Sequence, residues 1–325
     1  MKKVILSALL LASAVTFAQE SKLKVSGTVD VYGTTNFVDG AGAPGLLIAN
    51  PQNANGFGLG MANTVFAYEG SKSGVVADIA FGPRADDANM AGAINQLYAY
   101  YNVSESTTIT AGQFNTFLGY EVISPAANFN YSVSYLFNAG PFSHTGVKLD
   151  YAASEDLSFM LAVTNAHGIA SNDANPGGET QFGAQVGFKG QYLNFIYGAD
   201  GAATDAIYLD YTGGFDLSDS FYVGINAAYA NSDDLDAGYQ GVAVYLENSF
   251  SETFSLGLRP EFFTWTSGAG DAKVMALTLT GSTQLDDNLK LITEFRYDSS
   301  DDAAIEVFPT EKNVSALTIA AVYSF

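Results

Sequence analysis

Few residues in this chain are equipped for covalent chemistry. His144 and His167 are the only imidazoles, and there is no cysteine. Hydrolysis of an ester or peptide needs a histidine within hydrogen-bond reach of a nucleophile and an acid. His144 falls at the start of a predicted strand and His167 just beyond the following one, and neither lies in a nucleophile motif. Both read as loop or rim residues, and their spacing matches no zinc motif. Without cysteine there is no thiol catalysis, thiolate metal site or disulfide. The acidic stretches NSDDLDAG (231–238) and DSSDDAAIE (298–306) offer oxygens for calcium, with Asp233, Asp234 and Asp236 as donors and Gly238 for a turn. The full calcium-loop spacing is missing, so solvated acidic loops are the better reading. No phosphate-binding glycine motif stands out. A net charge of −21 opposes nucleic acid as a partner. The expectation is a chain that is not an enzyme and uses no metal or cofactor.

One segment stands apart. NTFLGYEVISPAANFNYSVSYLFNAGPF (115–142) carries many aromatics and a single charge, Glu121. It is too long for a hairpin turn and too apolar for a solvated loop. Its side chains, among them Phe117, Phe129, Tyr131, Tyr135 and Phe137, need a surface to bury against.

The flanking elements explain what that surface is. Only 14% of residues are charged, against about a quarter in soluble domains. Residues 1–18 combine Lys2 and Lys3, an apolar run and small residues up to Ala18, the pattern of a removed signal peptide. After it no apolar run is long enough for a membrane-spanning helix. Instead, stretches of about ten residues alternate in polarity. In 288–298, Leu289, Leu291, Thr293, Phe295 and Tyr297 share one face, and Lys290, Ile292, Glu294, Arg296 and Asp298 the other. In 157–164, Leu157, Phe159, Leu161 and Val163 share a face, as do Phe254, Leu256, Leu258 and Phe262 further on.

Short turns alternate with longer connections. The short set is 72–74, 104–107, 154–157, 189–191, 217–220, 250–253 and 285–288. The longer set includes 39–59, 83–92, 115–131, 167–178, 231–236 and 300–311. This asymmetry predicts an all-β fold, a transmembrane antiparallel β-barrel of about 16 strands (range 14–18) with both termini periplasmic. Strands are expected at 22–38, 60–70, 74–82, 93–102, 106–114, 143–152, 157–166, 179–189, 191–199, 204–215, 219–230, 238–250, 253–266, 272–284, 288–299 and 313–325. Residues 19–325 form one such domain, with 115–142 folding partly into the lumen. The last strand alternates down to Phe325 and resembles the signal read by barrel-assembly machinery.

Lipid contact demands an apolar outer face, so parity fixes the inner one. It places Lys24, Asp30, Asp78, Lys148, Asp150, Asp210, Glu247, Arg259, Glu261, Lys273, Lys290, Glu294, Arg296 and Asp298 inside. Tyr98, Tyr101, Tyr151, Tyr197, Tyr229 and Tyr297 are candidates for the interfacial girdles. Sixteen strands enclose more space than wall side chains can fill. Candidates for the lumen or its constriction are Phe117, Glu121, Phe129, Tyr131, Tyr135, Lys148, Asp150, Arg259, Glu261, Glu294 and Arg296. Mixed charge with acids in excess implies mild cation preference.

The segments 24–37 and 96–151 resemble the β-barrel porin-2 family, also called OmpL-like, of Gram-negative bacteria. The resemblance rests on Gly27, Asp30 and Tyr32; Gly112, Gln113 and Phe114; Gly119 and Glu121; Asn128 with Asn130, Tyr131 and Ser132; Leu136 and Phe137; Pro141; and Gly146. It covers roughly the first half of the chain, and the second half agrees in barrel periodicity. It implies an outer-membrane channel and transfers no site residue. The expected function is passive diffusion of small hydrophilic solutes or ions. The alternative is a non-conducting outer-membrane barrel serving adhesion, partner binding or envelope structure. Outer-membrane lipid and the assembly machinery are the expected partners. A homo-oligomer is left open, because lipid-facing and subunit-facing apolar residues read alike.

Overall fold

The computed structural model describes residues 22–37, 55–89, 92–166, 179–200, 203–300 and 312–325. The predicted signal peptide, His167, the loop 167–178 and most of the loops 39–59 and 300–311 lie outside the described residues.

Among the described residues sixteen strands close into one antiparallel barrel. They are β1 (Leu23–Asn36), β2 (Gly56–Glu69), β3 (Ser73–Phe81), β4 (Ile94–Ser104), β5 (Thr107–Asn115), β6 (Ser143–Ala152), β7 (Leu157–Asn165) and β8 (Thr180–Phe188). The second half follows as β9 (Gln191–Asp200), β10 (Ala203–Asp216), β11 (Phe221–Ser232), β12 (Ala237–Ser249), β13 (Phe254–Ser267), β14 (Ala272–Gln284), β15 (Leu289–Ser299) and β16 (Asn313–Ser324). Each strand pairs with its sequence neighbour, and β1 pairs with β16 from Thr28↔Ser324 to Asn36↔Ala316. Closure leaves no unpaired edge, the condition for backbone amides to lie in hydrocarbon. Strand boundaries follow the alternation closely. The largest difference is β2, which begins at Gly56, four residues before its predicted start.

Local chemistry sets the short turns. Four of them repeat one device. Oγ of Ser154, Ser218 and Ser251 and Oδ1 of Asp286 each accept two backbone N–H groups from residues two and three ahead. The turn between β8 and β9 is a two-residue hairpin, with Lys189 at φ 52° and Gly190 at φ 77°. Positive φ at both positions is the geometry that matches strand twist.

Parity assigns the two faces as expected with two corrections. Lys273 does not face the lumen. It alternates with buried Ala272 and Val274 and shares the outward face of Met275, Leu277 and Leu279. It is the second residue of β14, so its ammonium reaches the headgroup zone along an apolar stem. Tyr98 is not a girdle residue: it pairs with Val76 on the lumen face, between the outward Leu97 and Ala99. Tyr101 and Tyr151 lie outward near the short turns, and Tyr197, Tyr229 and Tyr297 outward near the long loops, as girdles require. Two short helices were not foreseen: α1 (Pro83–Ala88), with Pro at its start, and α2 (Tyr135–Ala139). Five or six residues are too few for a helical period to register.

Replacing Gly190 by Val puts a β-branched side chain at positive φ. A loss of about 1–2 kcal/mol is expected, measured as a lower urea midpoint for barrel unfolding in lipid vesicles.

Candidate functional site

The segment 116–142 leaves the wall through a closed neck. The amide of Thr116 donates to the carbonyl of Phe142 (3.0 Å), and the Thr116 hydroxyl shares a 3.0 Å hydrogen bond with His144 Nε2. Phe117 stacks on the His144 ring, centroids 4.7 Å apart. His144 is thus a neck residue.

Beyond the neck the backbone is met by charged side chains of the wall. A chain without regular secondary structure exposes N–H and C=O groups that need partners when buried. Here carboxylates accept from the N–H groups and guanidinium groups donate to the C=O groups. Glu294 on β15 accepts from the amides of Tyr131 (2.8 Å) and Ser132 (3.1 Å). Glu261 on β13 accepts from Tyr135 (3.0 Å) and Leu136 (2.9 Å), the first amides of α2, which have no partner within the helix. Arg259 donates to the Ser132 carbonyl (2.7 Å), and Arg296 to that of Val133 (2.7 Å). Lys290 donates to the carbonyls of Ala126 and Asn128, each at 3.3 Å. On strands to either side of these, Asp210 of β10 accepts from the amide of Gly119 (2.9 Å), and Asp30 of β1 from the Tyr131 hydroxyl (2.6 Å).

Glu121, the one charge of the segment, completes the set. Its carboxylate pairs with Arg259 Nη1 at 2.5 Å and accepts from the amide and hydroxyl of Ser134. Ser134 also caps α2, accepting from the Phe137 amide. Arg296 pairs with Asp298, and Asp298 accepts from the Tyr135 hydroxyl. Arg259, Glu261 and Asp298 are 0% exposed, and Glu294 and Arg296 2%. Such charges persist in the interior only when paired and hydrogen-bonded. Arg84 of α1 works from a different loop: it donates to the carbonyl of Tyr131 at 2.8 Å and lies over that ring at 4.8 Å.

Wall glycines make room for the segment's large side chains. A Cβ on Gly257 would come within 2.3 Å of the Phe129 ring, on Gly183 within 2.5 Å of Phe117, and on Gly224 within 2.5 Å of the Tyr120 hydroxyl. All three glycines face inward, so each is a socket in the wall.

Nine of the eleven lumen candidates meet in this region: Phe117, Glu121, Phe129, Tyr131, Tyr135, Arg259, Glu261, Glu294 and Arg296. Lys148 and Asp150 instead pair with each other on β6 at 2.7 Å. Residues outside the lumen candidates include Arg84, Ser132 (named only in the family resemblance), Ser134, Thr278, whose hydroxyl accepts from Arg259 Nη2 at 3.2 Å, and the socket glycines. The signal for the last was glycine at inward parity opposite an aromatic-rich segment. The acidic stretch 231–238 uses its oxygens locally: Asp234 accepts from the amide and hydroxyl of Thr204, which hold its carboxyl below the ordinary range. No cluster of three or more metal-ligating side chains occurs among the described residues.

The model of the family described as putative beta-barrel porin-2, OmpL-like, matches residues 22–325. The chain belongs to that family. Membership extends over both halves of the barrel, beyond the first-half motifs that carry the resemblance. It makes the protein an outer-membrane porin, a channel for passive diffusion. Solved structures of the same fold include the outer-membrane channel DcaP of Acinetobacter baumannii, with TM-score 0.63 and 14% identity over 93% of this chain and 97% of that one. The anion-selective porin of Comamonas acidovorans aligns with TM-score 0.61 and 10% identity over 93% and 99%. OmpT of Vibrio cholerae in its trimer form aligns with TM-score 0.57 and 12% identity over 93% and 99%. At these identities the likeness is one of fold. No curated protein sequence matches this porin. The wall side chains that hold the backbone of 116–142 form a clamp, and several of the motif residues that carry the family resemblance lie in it: Asp30, Gly119, Glu121, Tyr131 and Ser132 each make one of its hydrogen bonds.

Replacing Arg259 by Met leaves Glu121 buried without its partner, a change that costs roughly 3–5 kcal/mol for such pairs. Cleavage within 116–142 by chymotrypsin should then appear while the barrel remains folded, with the wild-type segment uncut under the same conditions.

Proposed function

We propose that 116–142 is the constriction of this porin, and that small hydrophilic solutes cross by passing between it and the wall. The observation that carries the reading is the ring of anchors: the segment is hydrogen-bonded to inward side chains of β1, β10, β13 and β15. A segment attached on several sides of a lumen narrows it for any solute. The channel needs no covalent chemistry; His144 is engaged by Thr116 and Phe117. Export with loss of residues 1–18 and recognition of the Phe325 strand by the assembly machinery belong to the same reading. Cation preference would come from acids outside the clamp, because Arg259, Glu261, Glu294 and Arg296 are covered by the segment.

The buried clamp also favours a second reading, a barrel held shut. Planar-bilayer recording separates the two. A conducting wild-type channel whose single-channel conductance rises on deletion of 122–134 supports the constriction. A silent wild type with a conducting deletion supports the closed barrel. Equal conductance in both would place the segment outside the current path.

A further inference from the structure

A cavity of about 460 Å³ lies between the segment and the short-turn ends of β10 to β15. The segment supplies its roof through Tyr120 and residues 126–130, and the short turns 218–220 and 251–252 supply its rim. It lies outside the clamp, although Glu121 and Lys290 border both.

Its lining has a definite chemistry. Asp216, Asp219, Glu247 and Glu252 line it, against one base, Lys290, which donates to the carbonyls of Ala126 and Asn128 and interacts electrostatically with Glu247. The aromatic side is Tyr120, Tyr222 and Tyr245. Tyr120 stacks on Tyr245 at 4.1 Å and donates to the Tyr222 hydroxyl at 2.8 Å. Tyr245 is 6% exposed, and its hydroxyl has no hydrogen-bond partner among the described residues.

Register arranges these groups. Asp216 pairs with Tyr222 across β10 and β11, and Tyr222 pairs with Glu247 across β11 and β12. All three share the lumen face, so one row of the wall reads acid, aromatic, acid. Neighbouring strands lie roughly 4.8 Å apart, which puts the two acidic positions about 10 Å from each other. Carboxylates at that spacing, with a ring between them, match two ammonium groups joined by a short alkyl chain. The carboxylates would neutralise the ends, and the ring face would receive the chain and adjacent positive charge.

We propose that this cavity is a binding site for small organic cations, with linear diamines as the best-fitting class. It rests on the diffusion reading only for how the solute arrives. Binding itself is an equilibrium property of the folded chain.

The test is isothermal titration of the folded full-length mature protein in detergent at low salt, with 1,5-diaminopentane, 1,5-pentanediol and glutarate as probes. Saturable binding of one diamine per chain is expected, with no binding of the diol or the dicarboxylate. The double variant Asp216→Asn, Glu247→Gln should weaken diamine binding by at least about tenfold, the scale of one lost charge contact near a protein surface. The double variant Asp86→Asn, Asp271→Asn removes two exposed acids near the long-loop end and should leave binding unchanged. Heat-modifiable migration confirms that both variants fold. Absence of diamine binding, binding of the diol with similar affinity, or equal weakening in both double variants would overturn the proposal. Because no voltage or flux is involved, a failed titration is distinct from a failed conductance experiment.

Discussion

The interaction on which the rest of this structure depends is that between the charged wall and the backbone of 116–142. A closed barrel of sixteen strands satisfies its own amides but leaves an interior that its side chains cannot fill. A long irregular segment within that interior has the opposite problem, with buried N–H and C=O groups and no neighbouring strand. The two needs meet at Glu261, Glu294, Arg259 and Arg296, whose carboxylates and guanidinium groups act as side-chain substitutes for a partner strand. Each such bond is charge-assisted, and both guanidinium groups are in turn paired with a carboxylate, Arg259 with Glu121 and Arg296 with Asp298. Removing any one member leaves a buried charge or a buried amide without a partner. The segment is therefore held by mutual dependence of charges and amides as well as by apolar packing, with Leu118, Ile123, Tyr131, Val133 and Leu136 each buried against apolar side chains of the wall.

This arrangement changes what the inward charges do. Facing the lumen, they read from sequence as a ring that sets the field for passing ions. Covered by the segment, the central ones are screened from solute by the backbone they hold. What remains in contact with open space on the short-turn side is a different population, Asp216, Asp219, Glu247 and Glu252, with tyrosines beside them. On the constriction reading, electrostatic preference falls to residues at the end of the barrel, and the central charges act through the shape of the passage.

Much of this was legible in the sequence, for a physical reason. Lipid on one side forces a period of two, so the strands, their number and the face of Arg259 or Glu294 followed from parity. The turns followed from Ser, Asp and Gly at their positions. Parity itself holds at the two corrected residues: Lys273 shares the outward face of Met275 and Leu277, where its place near a strand end tolerates a charge, and Tyr98 lies inward in the middle of β4, away from the interface. Identity of face does not disclose identity of partner. Nothing in the alternation of β13 says that Glu261 will receive the amides of a helix from residues 135 and 136. The composition of 115–142 signalled burial, and the matching sockets at Gly183, Gly224 and Gly257 become visible only once the barrel fixes which glycines face inward.

The most direct test of the clamp is amide hydrogen exchange of the folded protein in detergent, read at Tyr131, Ser132, Ser134, Tyr135 and Leu136. These five amides donate to Glu294, Glu121 and Glu261 rather than to any strand. Protection comparable with that of the flanking strands β5 and β6 is the expected result. Exchange at the rate of an open loop, with the strands still protected, would contradict it.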